Sequence, residues 1–513
     1  MSKRFPGRRL SPVRLTILLA VVAALATAGV LGMRTWEDTQ QAERSQPWFG
    51  AYVDVTATPV HAFENPTGPA DRNVVLGFVV AADPTTCEAS WGTFHSLEEA
   101  RDDLDLDRRI ARLRQSGGDV VVSFGGEAST ELALACPTVD DLAAQYGAVV
   151  ERYRPAAIDL DVEGPALADA ASRTRRAEAV ARIQEEHDGP LPVWLTLPVG
   201  ADGLTPDGVA TVRAFLDAGV VLAGVNAMTM NLTGAAAADD PAGTAVQALR
   251  ATHRQLMAIL ADRGEPVMDR TAWRMVGATP MIGQNDTPTE VVTLDDARRL
   301  HAFATEVQLG RVSMWSANRD RTCAPAYDDL SVVSDSCSGV EQGDERFADV
   351  LGAGFTGAPD GGSPQPTSTP TVHPEDLTDD PATSPYPVWT AEASYPADTR
   401  VVWRRNVYVA AWWTQGAQPD DPSLAPADNP WRLIGPVLPG ETPRPQLRLP
   451  ADFYPTWDPA AVYQAGERVL LDDVAYEARW WTQGDSPAAG QADPGASPWR
   501  VLTQEEIAAL LGG

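Results

Sequence analysis

Positive charge is the first thing this sequence lacks. Lys and Arg number 40 against 70 Asp and Glu in 513 residues, a formal charge of −30. A nucleic-acid partner needs a basic footprint, and anionic lipid repels such a chain, so neither is expected as a partner of its body. A neutral polymer is compatible with the charge balance but is not selected by it. Histidine is scarce as well: six residues, scattered, with no CxxC pair. A structural zinc site is therefore not expected, and no metal or organic cofactor is indicated. At the N-terminus Lys3, Arg4, Arg8, Arg9 and Arg14 precede an uncharged run over residues 15–33. A charged start, an apolar run and Ala26-Thr27-Ala28 suit a secretory signal cut after Ala28. The run continues to Met33, however, and roughly 20 residues span a bilayer, so an uncleaved membrane anchor is the alternative. Both readings place the bulk of the chain outside the cytoplasm. Only four cysteines occur, Cys87, Cys136, Cys323 and Cys337. An even number in an exported chain suggests disulfides, and the expected pairs are Cys87 with Cys136 and Cys323 with Cys337, a pairing that sequence alone leaves open.

The length calls for more than one domain, the largest with a substantial core. Eight apolar runs, at 48–55, 73–81, 119–126, 156–163, 192–199, 224–230, 274–283 and 311–317, read as strands. Helical spacing lies between most of them, at 104–115, 139–153, 171–187, 206–218, 244–263 and 294–308. Thr138 before Val139-Asp140-Asp141 and Thr293 before Leu294-Asp295-Asp296 are helix-start signals. Apolar strands alternating with helices imply a parallel sheet covered on its faces. Eight over about 300 residues fit an α/β fold of the (β/α)8 TIM-barrel type, with a doubly wound open sheet as runner-up. The expected organisation is a signal peptide or anchor (1–33), a tether (34–46), the barrel (47–351), a flexible linker (352–385) rich in Gly, Pro, Ser, Thr and Asp, and two small all-β modules (386–436 and 453–504) joined by a second linker (437–452). The chain is expected to be a monomer.

The modules are read from a repeat. Trp389, Tyr395, Val401, Tyr408, Trp412-Trp413 and Pro430-Trp431-Arg432 recur 68 residues later as Trp457, Tyr463, Val469, Tyr476, Trp480-Trp481 and Pro498-Trp499-Arg500. Units of about 50 residues cannot build a deep core, and Trp389, Trp431 and their counterparts are expected to supply what core there is. Neighbouring residues on a strand face opposite ways, so at least one ring of each Trp-Trp pair should be exposed, as a binding platform.

The stretch Asp159-Leu160-Asp161-Val162-Glu163 organises the barrel. Its acids share one face of a strand and its aliphatic residues, with Ile158, the other. Three buried carboxylates in a row are costly unless protons are shared or a ligand is engaged. Ser123-Phe124-Gly125-Gly126, Asn231, Gln284-Asn285-Asp286 and Trp315 fall at or near other strand ends, where barrel chemistry sits.

The acidic stretch resembles the DxxDxDxE signature of family 18 glycoside hydrolases, the chitinase family, and Ser123-Phe124-Gly125-Gly126 resembles its SxGG motif. Met228-Thr229-Met230-Asn231, the segment 279–286 and Met314-Trp315-Ser316 are similar to later strand ends of a bacterial subgroup. The Trp-Trp-Thr-Gln-Gly repeats resemble carbohydrate-binding modules of families 5 and 12. The resemblance implies that Glu163 is the general acid, then base, and that the substrate's own acetamido carbonyl attacks the anomeric carbon, so an N-acetyl sugar is required. Asp161 would hydrogen-bond Glu163 or the acetamido N–H, Asp159 would share a proton with Asp161, and their repulsion would keep Glu163 protonated. Ser123, Gly125, Gly126, Met230, Gln284, Asn285 and Trp315 would border the substrate, chitin or a related N-acetylglucosamine polymer. Tyr395, Trp412, Trp413, Tyr463, Trp480 and Trp481 would bind the polymer on the modules.

Two departures stand against the family pattern. Ala156-Ala157 replaces the usual Asp-Gly at the strand start, where only packing should change. Asn231 replaces the usual Asp and cannot carry charge, which points to lowered activity or a shifted pH profile. A secreted or surface-tethered chitinase is the first expectation. A weak or inactive barrel that binds carbohydrate is the second, and a hydrolase of glycoprotein glycans the third.

Overall fold

The computed structural model describes residues 46–232, 238–325, 329, 332–359, 378–425, 428–443, 447–472, 474–487, 497–502 and 504–511. The expected signal or anchor, nearly all of the tether, and most of the first linker lie outside them. Among the described residues no helix is long and apolar enough to cross a membrane. The chain divides into two compact units, one formed by 1–104 with 116–366, the other by 105–115 with 367–513.

In the first unit eight parallel strands close on themselves. The first is interrupted at Gly50: Trp48–Phe49 pairs with the eighth, Arg311–Val312, and Ala51–Asp54 pairs with the second, Asn73–Asp83. The third to seventh, Asp119–Gly125, Ala157–Asp161, Val193–Gly200, Leu222–Met228 and Val276–Thr279, pair in chain order, and the seventh returns to the eighth. This is the TIM barrel that the alternation of apolar runs and helices predicts, and ring closure removes the open-sheet alternative. The fourth strand is buried along its whole length, because its aliphatic face meets helices and its acidic face fills the barrel interior.

The helices Val139–Tyr153, Ala170–Glu186, Pro206–Asp217, Pro241–Asp262 and Leu294–Val307 cover the outside. Thr138 and Thr293 cap as the sequence signals, each hydroxyl accepting the backbone N–H three residues on. Beneath the helices, Glu131 in the loop after the third strand accepts hydrogen bonds from Tyr146 (2.8 Å) and Arg176 (2.6 Å), a buried pair that ties two helices to that loop.

Three expectations need correction. The seventh strand is shorter than 274–283, because the helix Asp269–Arg274 occupies its start. The second strand runs on to Asp83 and carries the antiparallel strand Thr86–Trp91, whose mixed polarity gave no strand signal. The eighth strand ends at Val312, although the chain stays beside the seventh, with Ile282 N–H donating to Trp315 O at 3.0 Å.

Both disulfides are present as paired in the sequence reading. Cys87–Cys136 ties that antiparallel strand to the segment after the third barrel strand, and its Cα–Cα distance of 4.5 Å lies in the range a disulfide bridges. In the second unit one strand pattern occurs twice. Arg400–Trp403, Asn406–Ala410 and Trp431–Pro436 form a three-stranded antiparallel sheet, as do Arg468–Leu471, Val474–Ala478 and Trp499–Val501. A two-stranded pair accompanies each, Ser394–Tyr395 with Thr414–Gln415 and Val462–Tyr463 with Thr482–Gln483.

Candidate active site

Alternation on the fourth strand turns Asp159, Asp161 and Glu163 to the barrel interior and its C-terminal rim. Asp159 is fully buried and its carboxylate is saturated with donors. Oδ1 accepts from Thr196 Oγ1 and Arg311 Nη1, both at 2.6 Å, and Oδ2 accepts from Ser123 Oγ at 2.7 Å and Tyr52 OH at 2.8 Å. The Ser123 hydroxyl, expected at the substrate, is instead buried behind the acidic row. The proton sharing expected between Asp159 and Asp161 has no room here. A carboxylate offers about four acceptor positions, and all are taken.

Asp161 is 6% exposed, and its Oδ1 has no hydrogen-bond partner among the described residues. Burial pushes its carboxyl well above the usual carboxylate range; the charges of Glu163 and Asp159 add to that, and Arg311 opposes it. Glu163 ends the acidic row half-buried, two residues beyond the strand. Its carboxyl is pushed up to about 7, first by burial and then by the charges of Glu127 and Asp286. Repulsion between Glu163 and its strand neighbour Asp161, expected from the sequence, is present and raises the Asp161 carboxyl.

Gly125 and Gly126 act through backbone. Gly125 has φ +105°, and a Cβ there would lie 2.1 Å from the Asp161 carbonyl oxygen. Gly126 N–H donates to that same oxygen at 3.0 Å. The pair lets the third strand close onto the end of the fourth. Trp315 is half-buried and stacks on Phe78 at 5.5 Å between centroids, with Tyr52 edge-on at 6.1 Å. This aromatic group flanks the acidic row through Tyr52, which bonds Asp159. Met230 is half-buried at the end of the sixth strand.

The loops after the sixth and seventh strands are knitted together. Asn231 has φ +54°, a region that Asn tolerates better than most residues. Its Nδ2 donates to Asp286 Oδ2 at 2.9 Å, and its Oδ1 accepts from Thr287 N at 2.9 Å. Both ends of the amide are therefore engaged with protein. The Gln284 and Asn285 side chains are buried and fold back onto backbone carbonyls of their own loop, to Asn285 O, Pro288 O, Met281 O and Gly283 O. They brace the loop and do not reach outward, contrary to the expectation of substrate contact. What they brace is Asp286, an exposed carboxylate whose field reaches Glu163. Sequence reading placed Asp286 at a strand end but gave it no role. Asn231→Asp would set a carboxylate against Asp286. We expect it to lower the melting temperature at pH 7, an effect of about 1–2 kcal/mol, and the gap to the wild type to close near pH 4, where the pair can hold a proton.

Comparison with known proteins bears on this geometry. The chain is 36% identical over 261 residues to a probable bifunctional chitinase/lysozyme of Escherichia coli K12, covering 48% of this chain and 28% of that protein. It is 35% identical over 290 residues to endochitinase 11 of Metarhizium anisopliae, covering 54% and 53%. Among solved structures, the catalytic domain of a hyperthermophilic chitinase from Pyrococcus furiosus superposes with a TM-score of 0.51 at 26% identity, over 60% of this chain and 95% of that one. The barrel is similar to the catalytic domains of chitinases. Residues 456–500 match carbohydrate-binding module family 5/12. The chain spans about half the length, or less, of the two curated relatives.

Beyond the chitinase-like barrel, the structure sorts the module aromatics. Trp412, Trp480 and Trp481 are exposed and Trp413 is half-buried, so each pair exposes at least one ring, but both pairs lie between strands and not on one, which lets Trp480 and Trp481 be exposed together. Tyr395 and Tyr463 are not surface residues. They are buried edge-on against Trp431 and Trp499, and their hydroxyls accept from Thr390 N and Asp458 N, both at 2.7 Å. Units this small spend most of their rings on the core. An open cavity of about 430 Å³ lies at the other end of the barrel, lined by strand starts such as Pro192, Leu222, Met275 and Gly310. Among the described residues no carboxylate lines it, and the end that holds strand starts is the one barrels use for stability. Among the described residues no group of three or more His, Cys, Asp or Glu could hold a metal ion.

Proposed function

We propose that this chain is an extracellular chitinase that hydrolyses β-1,4-linked N-acetylglucosamine polymer with retention, and that Glu163 is its acid and base. The observation that carries the reading is a half-buried Glu163 carboxyl that holds its proton up to about pH 7, next to buried Asp161 at the C-terminal rim of a closed barrel. The Glu163 proton goes to the glycosidic oxygen as the bond to the anomeric carbon breaks. The acetamido carbonyl oxygen of the same sugar closes onto that carbon, forming an oxazolinium ion. Water then gives a proton to the Glu163 carboxylate and its oxygen to the anomeric carbon, which reopens the ring with the original configuration. Asp161 hydrogen-bonds the acetamido N–H or Glu163. Asp286, held by Asn231, adds negative charge near the acid, a charge that Asn231 itself lacks. Trp315 supports the sugar at the cleavage point. The N-terminal segment exports the chain, as a cut signal or as an anchor, and the chain works as a monomer.

The modules hold the polymer through Trp412, Trp413, Trp480 and Trp481, and their presence on one chain lets two weak sites act together. Incubation with insoluble chitin is expected to release soluble N-acetylglucosamine oligomers. The double variant Trp480→Ala, Trp481→Ala should release fewer of them while cleaving soluble oligomers at the wild-type rate. Oligomer binding with no release at any pH would instead favour the carbohydrate-binding reading. Equal release by the double variant would remove the modules from the account.

A further inference from the structure

The mouth of the site is acidic on two sides. Glu127 follows the Gly125-Gly126 turn, where Gly126 N–H holds the Asp161 carbonyl oxygen at 3.0 Å, so it leaves the third strand beside the end of the fourth. Asp286 stands on the loop after the seventh strand, held by Asn231 Nδ2 at 2.9 Å. Both are exposed, and the charges of both reach Glu163. Neither is paired with a cation among the described residues. Two buried carboxyls add to them. Asp161, on the inward face of its strand, is 6% exposed and its Oδ1 lacks a hydrogen-bond partner among the described residues. Glu290, on the same loop as Asp286, is 1% exposed and neither of its oxygens has a partner among them. A fully N-acetylated polymer is neutral and offers an exposed carboxylate only hydroxyl and amide donors. The chain's formal charge of −30 does nothing for such a polymer either, whereas it draws in one that carries positive charge.

We propose that the site takes partially deacetylated chitin, and that Glu127 and Asp286 bind the ammonium groups of glucosamine units next to the sugar that is cleaved. The inference rests on the reading of Glu163 given above and narrows its substrate class. The cleaved sugar itself must keep its N-acetyl group, because that group's carbonyl oxygen attacks the anomeric carbon. Buried Asp161 is the acceptor for the acetamido N–H, so the deacetylated units fall to the neighbouring positions, where the exposed pair stands. An ammonium brings three donors and a full charge, and its hydrogen bonds to a carboxylate are the strong, charge-assisted kind. Glu127 and Asp286 are free to take it because no cation of the described residues holds either. The reaction is unchanged: the same glycosidic bond breaks and the same water is consumed. Exposed ion pairs are modest, about 1.5- to 5-fold in affinity each, so the preference is a moderate one that salt weakens.

The test measures kcat/KM of the full chain at about pH 5 on two soluble substrates of one length, the N-acetylglucosamine hexamer and hexamers with roughly half their units deacetylated. The ratio of the second value to the first is the readout. For the wild type it should fall about threefold or more between about 20 mM and about 500 mM salt. At low salt Glu127→Gln and Asp286→Asn should each lower it about two- to fivefold. Both variants also change the field at Glu163, but that acts on the two substrates alike and cancels in the ratio. Glu127→Asp, which keeps the charge, should keep most of the preference. A ratio that neither salt nor the two neutral variants move would overturn the proposal while leaving Glu163 as the acid, and so would a ratio that Glu127→Gln raises. No release from either hexamer by the wild type would instead remove the reading beneath it.

Discussion

Replacing Glu163 by Gln is expected to lower kcat on soluble N-acetylated oligomers by about 10³-fold or more, with little change in KM. Gln keeps the shape and can still hydrogen-bond, but it has no proton to give. General acid catalysis contributes typically about 10²–10⁴-fold, and here one group serves as acid and then as base in successive steps. The same substitution should act oppositely on stability. The Glu163 carboxyl titrates near 7 in the folded chain and near the ordinary value when unfolded. A carboxyl raised on folding contributes fully below its unfolded pKa, and that contribution is lost as pH rises through the folded value. Gln cannot ionise, so the melting temperature of Glu163→Gln relative to the wild type should climb between pH 5 and pH 8 as ordinary Glu at this site would lose up to about 3 kcal/mol. Kinetics and thermal unfolding across that range check both halves. A variant that retains a tenth of the wild-type rate would remove Glu163 as the acid. A flat stability difference would mean its carboxyl is not raised.

The fold was legible because its signals are local. Period-two acids on the fourth strand, apolar runs of strand length and Thr caps before helices are each written within a dozen residues, and ring closure follows from eight such units. The site was legible only as far as its own strand. Asp159, Asp161 and Glu163 announce themselves by spacing. What surrounds Asp159 comes from Tyr52, Ser123, Thr196 and Arg311, and the last lies 152 residues away. Nothing in the neighbourhood of Arg311 separates a barrel-axis cation from a surface one. Asn231 misled for a related reason. Its sequence position suggests contact with substrate, while its amide is spent on Asp286 and Thr287, a pairing set by how two loops meet. Tyr395 and Tyr463, expected at the polymer from the resemblance of the repeats to binding modules, are buried. A tyrosine with a backbone N–H for its hydroxyl can be buried whole, and periodicity does not report that partner.

Gly125 gives the second large effect, and it tests the geometry without touching any acid. Its φ of +105° is hostile to a side chain, and an added Cβ would fall 2.1 Å from the carbonyl oxygen of Asp161. That oxygen is backbone, and Gly126 N–H already holds it, so no rotamer change relieves the overlap. The ends of the third and fourth strands must move apart, and Asp161 and Glu163 move with them. Gly125→Ala is therefore expected to lose about 3 kcal/mol or more of stability, and the fraction that folds should lose about 10²-fold in kcat, as displacements near 1 Å do. Gly126→Ala differs in kind, because its Cβ would meet the Phe78 ring at 2.9 Å, so it should disturb the stack on Trp315 and raise KM more than it lowers kcat. Gly147 supplies the control. It lies inside the helix Val139–Tyr153 with open space where a Cβ would go, and Gly147→Ala should stabilise by about 0.5–1 kcal/mol. Thermal unfolding and initial rates of the three variants separate these outcomes. If Gly125→Ala melts and turns over like the wild type, the close approach of the two strands is not what demands glycine there, and the placement of Asp161 must rest on its side-chain surroundings instead.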